Sequence, residues 1–507
     1  ALYISGQVKQ STTICACPEL NLRQLGDQEV DIVDIVKPIT KMAVMVTDPL
    51  DIKYYLDKAV FLALNGRPGP VWLDVPLDIQ GAVIDEEKLR EFSSEEIEKE
   101  APLLKEECVE LLLQKIQAAK SPVVYVGNGV RLAGRVDQFL SIVEKLNVPV
   151  VTAISGSDII WHDHPLCFGK PGICGDRIGN IMVQNSDLLI VLGTRLSIRQ
   201  ISYAYDLLAP KAYKVMVDID ENELKKPTLS IDLPIHADLR DFLDLFQTKL
   251  AGTCLPSFEH WRSWGRAIEK ELPTLFDDNP SIPEYISSYV FADELFKQLR
   301  EGDVVVTGNG TAYTSTYQAM KVNRGVRVFA NQGCAAMGYD LPAAIGAAIA
   351  NGKGRTILVT GDGSVQMNIQ ELQTLLTYRI PLKVFILENQ GYLAIKTTQQ
   401  SFFQGHYIGS DPGSGVVCPD MEKIANAYGI PFVRLNQEGN SLKSSIAAVL
   451  QYEGAYICEI KMHPLQTLYP KSASFMDKNG KMSSAPLEKM APFMSDELQE
   501  KCIYCHI

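Results

Sequence analysis

The sequence has few positive charges for its length. It holds 48 lysines and arginines against 61 aspartates and glutamates, a net charge of -13 over 507 residues. A protein that binds nucleic acid through its phosphates needs a basic surface. We therefore predict that nucleic acid is not a partner.

The sequence also lacks a long apolar run, a leader and a disulfide pattern. The longest run of small apolar residues, Leu341 to Ala350, has about half the length that a membrane helix needs, so we predict no membrane partner. No charged leader with an apolar core follows Ala1, which predicts no signal peptide. The eleven cysteines have no repeated spacing, which favours a reducing compartment and a cytoplasmic protein.

What the chain does have is the composition and length of a globular protein of roughly three domains, with 46% apolar residues. Three stretches alternate strand-like apolar runs with amphipathic segments of helix length, a pattern typical of parallel sheets covered by helices. We predict an α/β protein with three doubly wound parallel-sheet domains. The predicted division is a first domain at 1–84, a linker at 85–104, a central flavodoxin/Rossmann-like domain at 105–252, a third domain at 284–465 and a C-terminal tail at 466–507.

Buried strands are predicted from the apolar runs between turn residues. They are 71–75 in the first stretch; 122–126, 148–153, 188–192 and 213–218 in the second; and 303–307, 327–330, 356–360, 382–387 and 456–460 in the third.

Two polar groups follow consecutive strands of the third stretch. Gly361-Asp362-Gly363-Ser364 follows strand 356–360, and Asn389 and Gly391 follow strand 382–387. In a right-handed parallel crossover both strand ends emerge at one edge of the sheet, so we expect Asp362 and Asn389 to be neighbours. Mg²⁺ commonly takes one or two protein oxygens while phosphate and water supply the others, and a carboxylate with an amide fits that demand.

The glycines of this motif let a backbone approach a diphosphate closely. A helix beginning at Ser364, with Val365, Ile369, Leu372 and Leu376 about one turn apart, would offer its free amides to the anion. The alternative is that the Gly-Asp-Gly turn caps a helix and binds nothing.

Gly361-Asp362-Gly363 followed by Asn389 resembles the diphosphate signature of thiamine diphosphate enzymes, and the run from Ala336 to Ala347 is similar to acetolactate synthases. On this resemblance the chain is an N-terminally truncated relative of the acetolactate synthase large subunit. Residues 1–84 would be the C-terminal half of a pyrimidine-binding domain, and 284–465 a diphosphate-binding domain. Further matches in the expected order are Ile4 to Val8, Gln28-Glu29, Pro38 to Lys41, Gly66 to Pro70 and Asn185 to Arg195.

The resemblance implies roles for individual residues. Asp362 and Asn389 would bind Mg²⁺ through their side chains and Gly391 through its main-chain oxygen. Met337 would hold the cofactor bent and Gln28 would be an active-site glutamine; from the sequence alone, Met337 is equally typical of core packing and Gln28 of a polar loop. The cofactor-binding set implied by the family is Gly310, Thr311, Met337, Gly361, Asp362, Gly363, Ser364, Asn389, Gly391 and Tyr392.

The sequence departs from the family at several positions. No residue matches the glutamate of the first domain that drives ylid formation, which predicts an inactive chain as given. Glu388 replaces the first asparagine of the family's pair. The segment Tyr392 to Lys396 replaces the one that holds an acceptor-selecting tryptophan, so the acceptor is open.

The central domain leaves FAD open. Gly127-Asn128-Gly129 could be a dinucleotide loop, although a lone glycine cluster is a weak signal. The segments 168–175 and 193–195 are similar to the family's flavin region. Leu196-Ser197-Ile198, however, replaces aromatic and acidic residues of that region, which weighs against FAD.

The implied activity is that of a thiamine diphosphate- and Mg²⁺-dependent transferase or lyase. It would decarboxylate a 2-oxo acid such as pyruvate and join the product to a second carbonyl. A homodimer or homotetramer is implied, because in the family the cofactor lies between the first domain of one subunit and the third domain of its partner. The alternatives are a carboligase with a keto-sugar acceptor, a simple 2-oxo acid decarboxylase and a non-catalytic cofactor-binding relative.

The last residues, Cys502-Ile503-Tyr504-Cys505-His506, have the spacing of a covalent haem attachment site. Such attachment takes place outside the cytoplasm, and a closed zinc site needs four ligands rather than three. We expect a frayed tail.

Overall fold

A computed structural model describes residues 1–97, 102–436, 440–476 and 482–505. The chain divides into two compact units. One contains residues 1–104, 219–221 and 236–238, and the other contains 105–218, 222–235 and 239–507. The described residues form three parallel sheets covered by helices, which confirms the predicted α/β class.

The first unit contains a three-stranded parallel sheet in the order β1-β3-β2. Its small core includes Ala59, Val71 and Leu73, which are fully buried. The elements are β1 (Leu2–Gln7), α1 (Ile32–Val36), β2 (Met42–Met45), α2 (Ile52–Leu64), β3 (Val71–Pro76) and α3 (Leu77–Gln80).

The second unit begins with a five-stranded sheet in the order β5-β4-β6-β7-β8, in which β4, β5, β6 and β7 run parallel. Its elements are α4 (Glu106–Ala118), β4 (Pro122–Val126), α5 (Gly129–Leu132), α6 (Val136–Leu146), β5 (Val150–Thr152), α7 (Arg177–Gln184), β6 (Leu188–Leu192), α8 (Ile198–Ile201), β7 (Tyr213–Asp218), α9 (Glu221–Lys225), β8 (Leu233–His236), α10 (Leu239–Ala251), α11 (Glu259–Glu271) and α12 (Leu275–Asp278).

A six-stranded parallel sheet follows, in the order β10-β9-β11-β12-β14-β13. Its elements are α13 (Ser288–Phe296), β9 (Val304–Thr307), α14 (Thr311–Ala319), β10 (Arg327–Ala330), α15 (Asp340–Ala350), β11 (Thr356–Gly361), α16 (Asp362–Val365), α17 (Leu372–Thr377), β12 (Lys383–Glu388), α18 (Leu393–Phe402), α19 (Met421–Tyr428), β13 (Phe432–Leu435), α20 (Asn440–Gln451) and β14 (Tyr456–Lys461). The tail adds β15 (Lys471–Ser472), β16 (Ser474–Met476), β17 (Met482–Ser484), β18 (Met490–Ala491) and α21 (Asp496–Lys501).

Each predicted strand is present, and most of the ends agree within one residue. The largest difference is at β5, predicted over 148–153 and observed over Val150–Thr152. Pro149 has no N–H to donate to a neighbouring strand. This explains why β5 starts at Val150, although the apolar run begins at Val148.

The segment after β11 is not the single helix that was predicted from Ser364. The structure has α16, a 3₁₀ segment at 366–371 and then α17, with a break at Asn368 (φ -138°, ψ 37°). The Asn368 side chain donates a hydrogen bond to the Gly338 carbonyl oxygen at 2.7 Å. This bond ties the segment to the Met337 loop and replaces regular helical pairing. The apolar side chains still face the core, where Val365 and Leu372 are fully buried.

The C-terminal tail is folded, so the expectation of fraying is wrong. Tyr504 is 7% exposed, and its ring lies 4.7 Å from that of Trp261 and 5.0 Å from that of Trp264. Its backbone N–H donates to Asn185 Oδ1 at 2.8 Å. Aromatic burial of this size outweighs the entropy of ordering a short tail. His506, the last residue of the haem-like motif, lies outside the described residues.

All eleven cysteines are free thiols, as their spacing predicts. Within the described ranges, the helices are all too short or too polar to cross a bilayer.

Asp158 joins the β10 strand to the central sheet's loops. Its carboxylate, with no exposed surface, pairs with Arg327 at 2.6 Å and with Arg131 at 3.0 Å, and it accepts the backbone N–H of Val328 at 2.9 Å. Removing one partner of a buried charge pair leaves the other charges uncompensated.

We expect Asp158→Ala to lower the free energy of unfolding by about 2–4 kcal/mol, less than for a fully buried pair because both arginines are partly exposed. The midpoint of urea unfolding measures this effect. Asp244→Ala is the matched control, because Asp244 also pairs with an arginine, Arg135, but on the surface. Equal shifts for both variants would contradict the buried role of Asp158.

Candidate active site

The carboxyl ends of three adjacent strands form one edge of the six-stranded sheet. Strands β9, β11 and β12 are neighbours in that sheet, and Gly361 at the end of β11 is in register with Leu387 of β12. Open α/β sheets bind ligands outside the carboxyl ends of their strands. The motifs predicted to carry chemistry are therefore concentrated at this edge.

Asp362 and Asn389 are in direct contact at this edge, although 27 positions separate them in sequence. The Asp362 carboxylate is 3% exposed, and Oδ2 accepts the backbone N–H groups of Asn389 and Gly391, both at 3.1 Å. Its Oδ1 accepts the N–H of Gly363 at 2.8 Å. The turn after β12 is thus wrapped around the carboxylate that begins α16.

The electrostatics of this edge favour a cation. Burial raises the pKa of Asp362 in spite of its three amide donors. Burial and the nearby Asp362 also raise the pKa of Glu388. A buried and a half-buried acid lie near each other here, and among the described residues Asp362 has no ion pair.

Asn389 supplies the test of whether a metal ion fits. Its side chain is 4% exposed, and Oδ1 is buried without a hydrogen-bond donor among the residues that the structure describes. Leaving a buried acceptor unpaired destabilises a fold by roughly 1–3 kcal/mol. An amide oxygen beside a carboxylate is a donor set that Mg²⁺ accepts, so these residues fit the ion.

The Met337 loop comes close to the Gly-Asp-Gly turn. The backbone N–H of Gly338 donates to Ser364 Oγ at 3.0 Å. A Cβ on Gly363 would overlap the ring of Tyr392 and would lie 3.5 Å from Met337 Cε. Only glycine fits at position 363, because Tyr392 and Met337 close over it.

Gly310 and Thr311 lie on the same edge, at the start of α14 after β9. Asn309 bonds the carbonyl oxygen of Ala336, which joins this loop to the Met337 loop. Thr311 is 5% exposed, and its hydroxyl has no hydrogen-bond partner in the described part of the chain. The structure therefore brings all the implied cofactor-binding residues to one edge.

Gln28 belongs to the other unit. It lies in an exposed loop with φ +63°, next to Glu29, which is 6% exposed. The Glu29 carboxylate accepts the backbone N–H groups of Leu25 at 2.8 Å and Gly26 at 3.0 Å, and these bonds organise the loop that presents Gln28.

The residues of this sheet edge lie within a region that matches a known protein family. The family described as the C-terminal TPP binding domain of thiamine pyrophosphate enzymes matches residues 308–460, and the central domain of these enzymes matches residues 109–246. The chain is 31% identical over 459 residues to the acetolactate synthase large subunit of Cyanidium caldarium, which covers 88% of this chain and 76% of that protein. The chain belongs to the acetolactate synthase family of thiamine pyrophosphate enzymes.

Other members of this family are similar to the same extent. Acetolactate synthase isozyme 1 large subunit of Escherichia coli (strain K12) is 30% identical over 466 residues, covering 90% of this chain and 79% of that protein. Acetolactate synthase 1, chloroplastic, of Zea mays is 30% identical over 469 residues, which cover 89% of this chain and 71% of that protein. The resemblance seen in the sequence is confirmed, and with it a thiamine pyrophosphate-dependent, acetolactate synthase-like enzyme.

Lys396 is the residue of this acetolactate synthase-like site that sequence reasoning missed. It is 2% exposed, and its Nζ donates to the carbonyl oxygens of Asn389 at 2.7 Å and Gln390 at 3.3 Å. Burial lowers its pKa. Because lysine is almost never fully buried, a sequence pattern gives no signal of this position.

The glycine cluster of the central domain has a packing role. The N–H groups of Gly127 and Gly129 donate to the carbonyl oxygens of Leu192 and Gly193, both at 2.9 Å. A Cβ at either glycine would overlap the backbone at Gly193. These amides are therefore already bonded within the fold, and the cluster carries no argument for a dinucleotide.

Proposed function

We propose that this enzyme binds Mg²⁺ and thiamine diphosphate at the described sheet edge, decarboxylates a 2-oxo acid such as pyruvate, and joins the product to a second carbonyl. The observation that carries the proposal is the buried Asn389 Oδ1, which has no donor among the described residues, beside the buried Asp362 carboxylate. Bound thiamine diphosphate supplies an electron sink for the cleavage of the carbon–carbon bond.

The ligands for Mg²⁺ in this proposal are the side chains of Asp362 and Asn389 and the main-chain oxygen of Gly391. The preformed bonds from Asn389 and Gly391 to Asp362 hold these ligands together before an ion arrives, which lowers the ordering entropy of binding. Gly361, Gly363 and Ser364 would approach the diphosphate.

Met337 and Tyr392 would position the cofactor. Both approach Gly363, so a group held on the Gly-Asp-Gly turn would be in contact with them. Gly310 and Thr311 would complete the binding set from the end of β9, where the unpaired Thr311 hydroxyl is available as a donor. We propose Gln28 as a further active-site residue on the family resemblance.

Lys396 supports the ligands without touching the substrate. Its bonds to the Asn389 and Gln390 carbonyl oxygens fix the turn that bears two of the three proposed Mg²⁺ ligands. A buried ammonium group here also offsets part of the negative charge of Asp362 and Glu388 until an ion binds.

The assembly that we propose is a homodimer or homotetramer in the cytoplasm, on the family resemblance. FAD has no step in this proposal, because Leu196-Ser197-Ile198 replaces aromatic and acidic residues of the family's flavin region.

The test is product analysis by NMR with isotopically labelled pyruvate, Mg²⁺ and thiamine diphosphate. It is carried out on the full-length protein, because no residue of the chain as given matches the family's ylid-forming glutamate. We expect acetolactate from pyruvate alone. A two-carbon adduct formed only when a keto-sugar is added would identify the keto-sugar carboligase, and acetaldehyde alone would identify a simple decarboxylase. Binding of the cofactor without pyruvate consumption would contradict the catalytic proposal, and Asp362→Asn serves as the blank.

A further inference from the structure

A cavity lies in the second unit, at the opposite end of α14 from Gly310 and Thr311. Its volume is about 390 Å³, and its wall includes Thr152 at the end of β5 and residues 318–322 at the end of α14. A nine-residue helix is roughly 13 Å long, so the cavity is separate from the proposed cofactor site. Its volume is near the lower limit for small-molecule pockets.

Three basic side chains line this cavity. They are His162, Lys170 and Lys321. Hydrogen bonds to the segment after α14 hold them together. The His162 backbone N–H donates to Val322 O at 2.9 Å, and the Lys170 side-chain Nζ donates to Met320 O at 3.1 Å. Desolvation, followed by the charges of Lys170 and Lys321, lowers the pKa of His162. His162 is therefore held as the neutral imidazole, and the positive charge at the cavity is that of Lys170 and Lys321.

The acids around the cavity already have partners. Asp293 pairs with Lys297 at 2.6 Å and Glu269 with Arg266 at 2.6 Å. Asp176 accepts the backbone N–H groups of Lys170 and Gly179, both at 2.8 Å, and burial raises its pKa. Within the described ranges, Lys170 and Lys321 have no ion pair. Burial raises the pKa of Asp176 and the nearby Lys170 charge opposes that shift, so Lys170 is partly balanced and the Lys321 ammonium is the positive charge left at the cavity.

A buried hydroxyl points to a ligand independently of these charges. Ser157 lines the cavity and is 5% exposed, and its Oγ has no hydrogen-bond partner in the described part of the chain. A buried polar group without a partner weakens a fold unless something bonds it.

Part of the remaining wall is apolar. It includes Ile160, Ile178, Leu275 and Val322. Ile160 is 1% exposed and Val322 is 4% exposed, so they form a firm surface. A ligand that fits would have an anionic head group and an aliphatic portion.

We propose that this cavity binds a small aliphatic carboxylate, with its head group at His162, Lys170, Lys321 and Ser157 and its chain against Ile160, Ile178 and Leu275. This site would be additional to the one at the Gly-Asp-Gly turn, and it would be occupied without Mg²⁺ or thiamine diphosphate.

The test is calorimetric titration of the full chain, without Mg²⁺ or cofactor, with acetate, butanoate, hexanoate and inorganic phosphate. Each buried methylene should strengthen binding roughly fourfold, so hexanoate should bind most tightly and acetate least. Equal affinity for hexanoate and phosphate would overturn the aliphatic part of the proposal. Absence of hexanoate binding would overturn all of it.

Variants locate the site. Lys321→Met should weaken hexanoate binding about tenfold or more, and Ser157→Ala about threefold to tenfold, in line with the loss of a charged and a neutral hydrogen bond. Neither change leaves a buried group unpaired, so both variants should keep the thermal midpoint of the parent. Unchanged affinity in both variants would overturn the assignment.

Two controls separate this site from others. Lys120→Ala removes an exposed lysine before β4, at the opposite strand end from Thr152, and should leave hexanoate binding unchanged. Asp362→Asn should also leave it unchanged. Loss of hexanoate binding in Asp362→Asn would instead place the carboxylate at the cofactor site and overturn the proposal.

Discussion

Asp362→Asn should weaken Mg²⁺-dependent binding of thiamine diphosphate at least about 100-fold. The substitution keeps the shape of the side chain but removes the charge that we propose as the anionic ligand of the ion. Removing one partner of a buried charge pair costs about 3–5 kcal/mol, and each 1.4 kcal/mol corresponds to a tenfold change in affinity. Isothermal titration calorimetry with thiamine diphosphate at a fixed Mg²⁺ concentration measures the change.

The same variant should remain folded. The Asp362 carboxylate is buried and has no ion pair in the described part of the molecule, and burial raises its pKa, so neutralising it removes an unfavourable charge. The amide nitrogen of the new side chain cannot accept a hydrogen bond, so at least one of the bonds from the Gly363, Asn389 and Gly391 N–H groups is lost. Because these two effects oppose each other, we expect the thermal midpoint without ligands to stay within a few degrees of that of the parent. Wild-type affinity for the cofactor in this variant would remove the basis of the proposed metal site.

Asp303→Asn gives the opposite pattern and is the matched control. Asp303 is 2% exposed and pairs with Arg355 at the other end of the same sheet, before β9. Losing that pair should lower the thermal midpoint because a partly buried guanidinium is left without its carboxylate. Cofactor affinity should stay that of the parent, since no proposed ligand is near.

Gly391→Ala should give the second large effect. The residue has φ +116°, and a Cβ there would overlap the Ser410 carbonyl oxygen. A side chain in this backbone region is strained by about 1–3 kcal/mol, and the overlap with a backbone atom adds to the strain. Relief requires the turn to move, which displaces the Asn389 and Gly391 oxygens. We expect cofactor affinity to fall at least about tenfold, and the thermal midpoint to fall as well.

Gly409→Ala separates strain from displacement. Gly409 lies close to the same turn and has φ +59°, but nothing would lie within 4 Å of its Cβ. Its substitution should lower the thermal midpoint by the strain alone, and cofactor affinity should be preserved. If the two variants bound the cofactor equally well, the turn would not hold the ligands as we propose.

The predicted positions of the strands were good because they depend on local patterns. Runs such as Leu188–Leu192 and Val304–Thr307 are apolar or β-branched and bounded by turn residues, and a sheet buried on both faces selects for such runs. The helix after Asp362 was predicted less well. Its period of apolar residues was right, but the bond from Asn368 to Gly338 breaks the helix, and that partner is 30 positions away.

The burial of polar residues was beyond the sequence. Lys396 lies in a segment whose residue pattern is typical of the start of an amphipathic helix, where a lysine is normally exposed. Only the fold shows that it reaches the carbonyl oxygens of Asn389 and Gln390. The tail around Tyr504 is similar, because its stability comes from contact with Trp261, more than 240 positions earlier.

The sequence by itself determined the α/β class, the order of the strands along the chain and the meeting of Asp362 and Asn389 at one sheet edge. Each of these follows from periodicity, turn residues and the fixed hand of parallel crossovers, which are local properties of a chain. Only the tertiary structure decided which polar atoms are buried without a partner among the described residues, such as Asn389 Oδ1 and Ser157 Oγ. Pairing and desolvation depend on neighbours that are distant in sequence, so no local pattern encodes them.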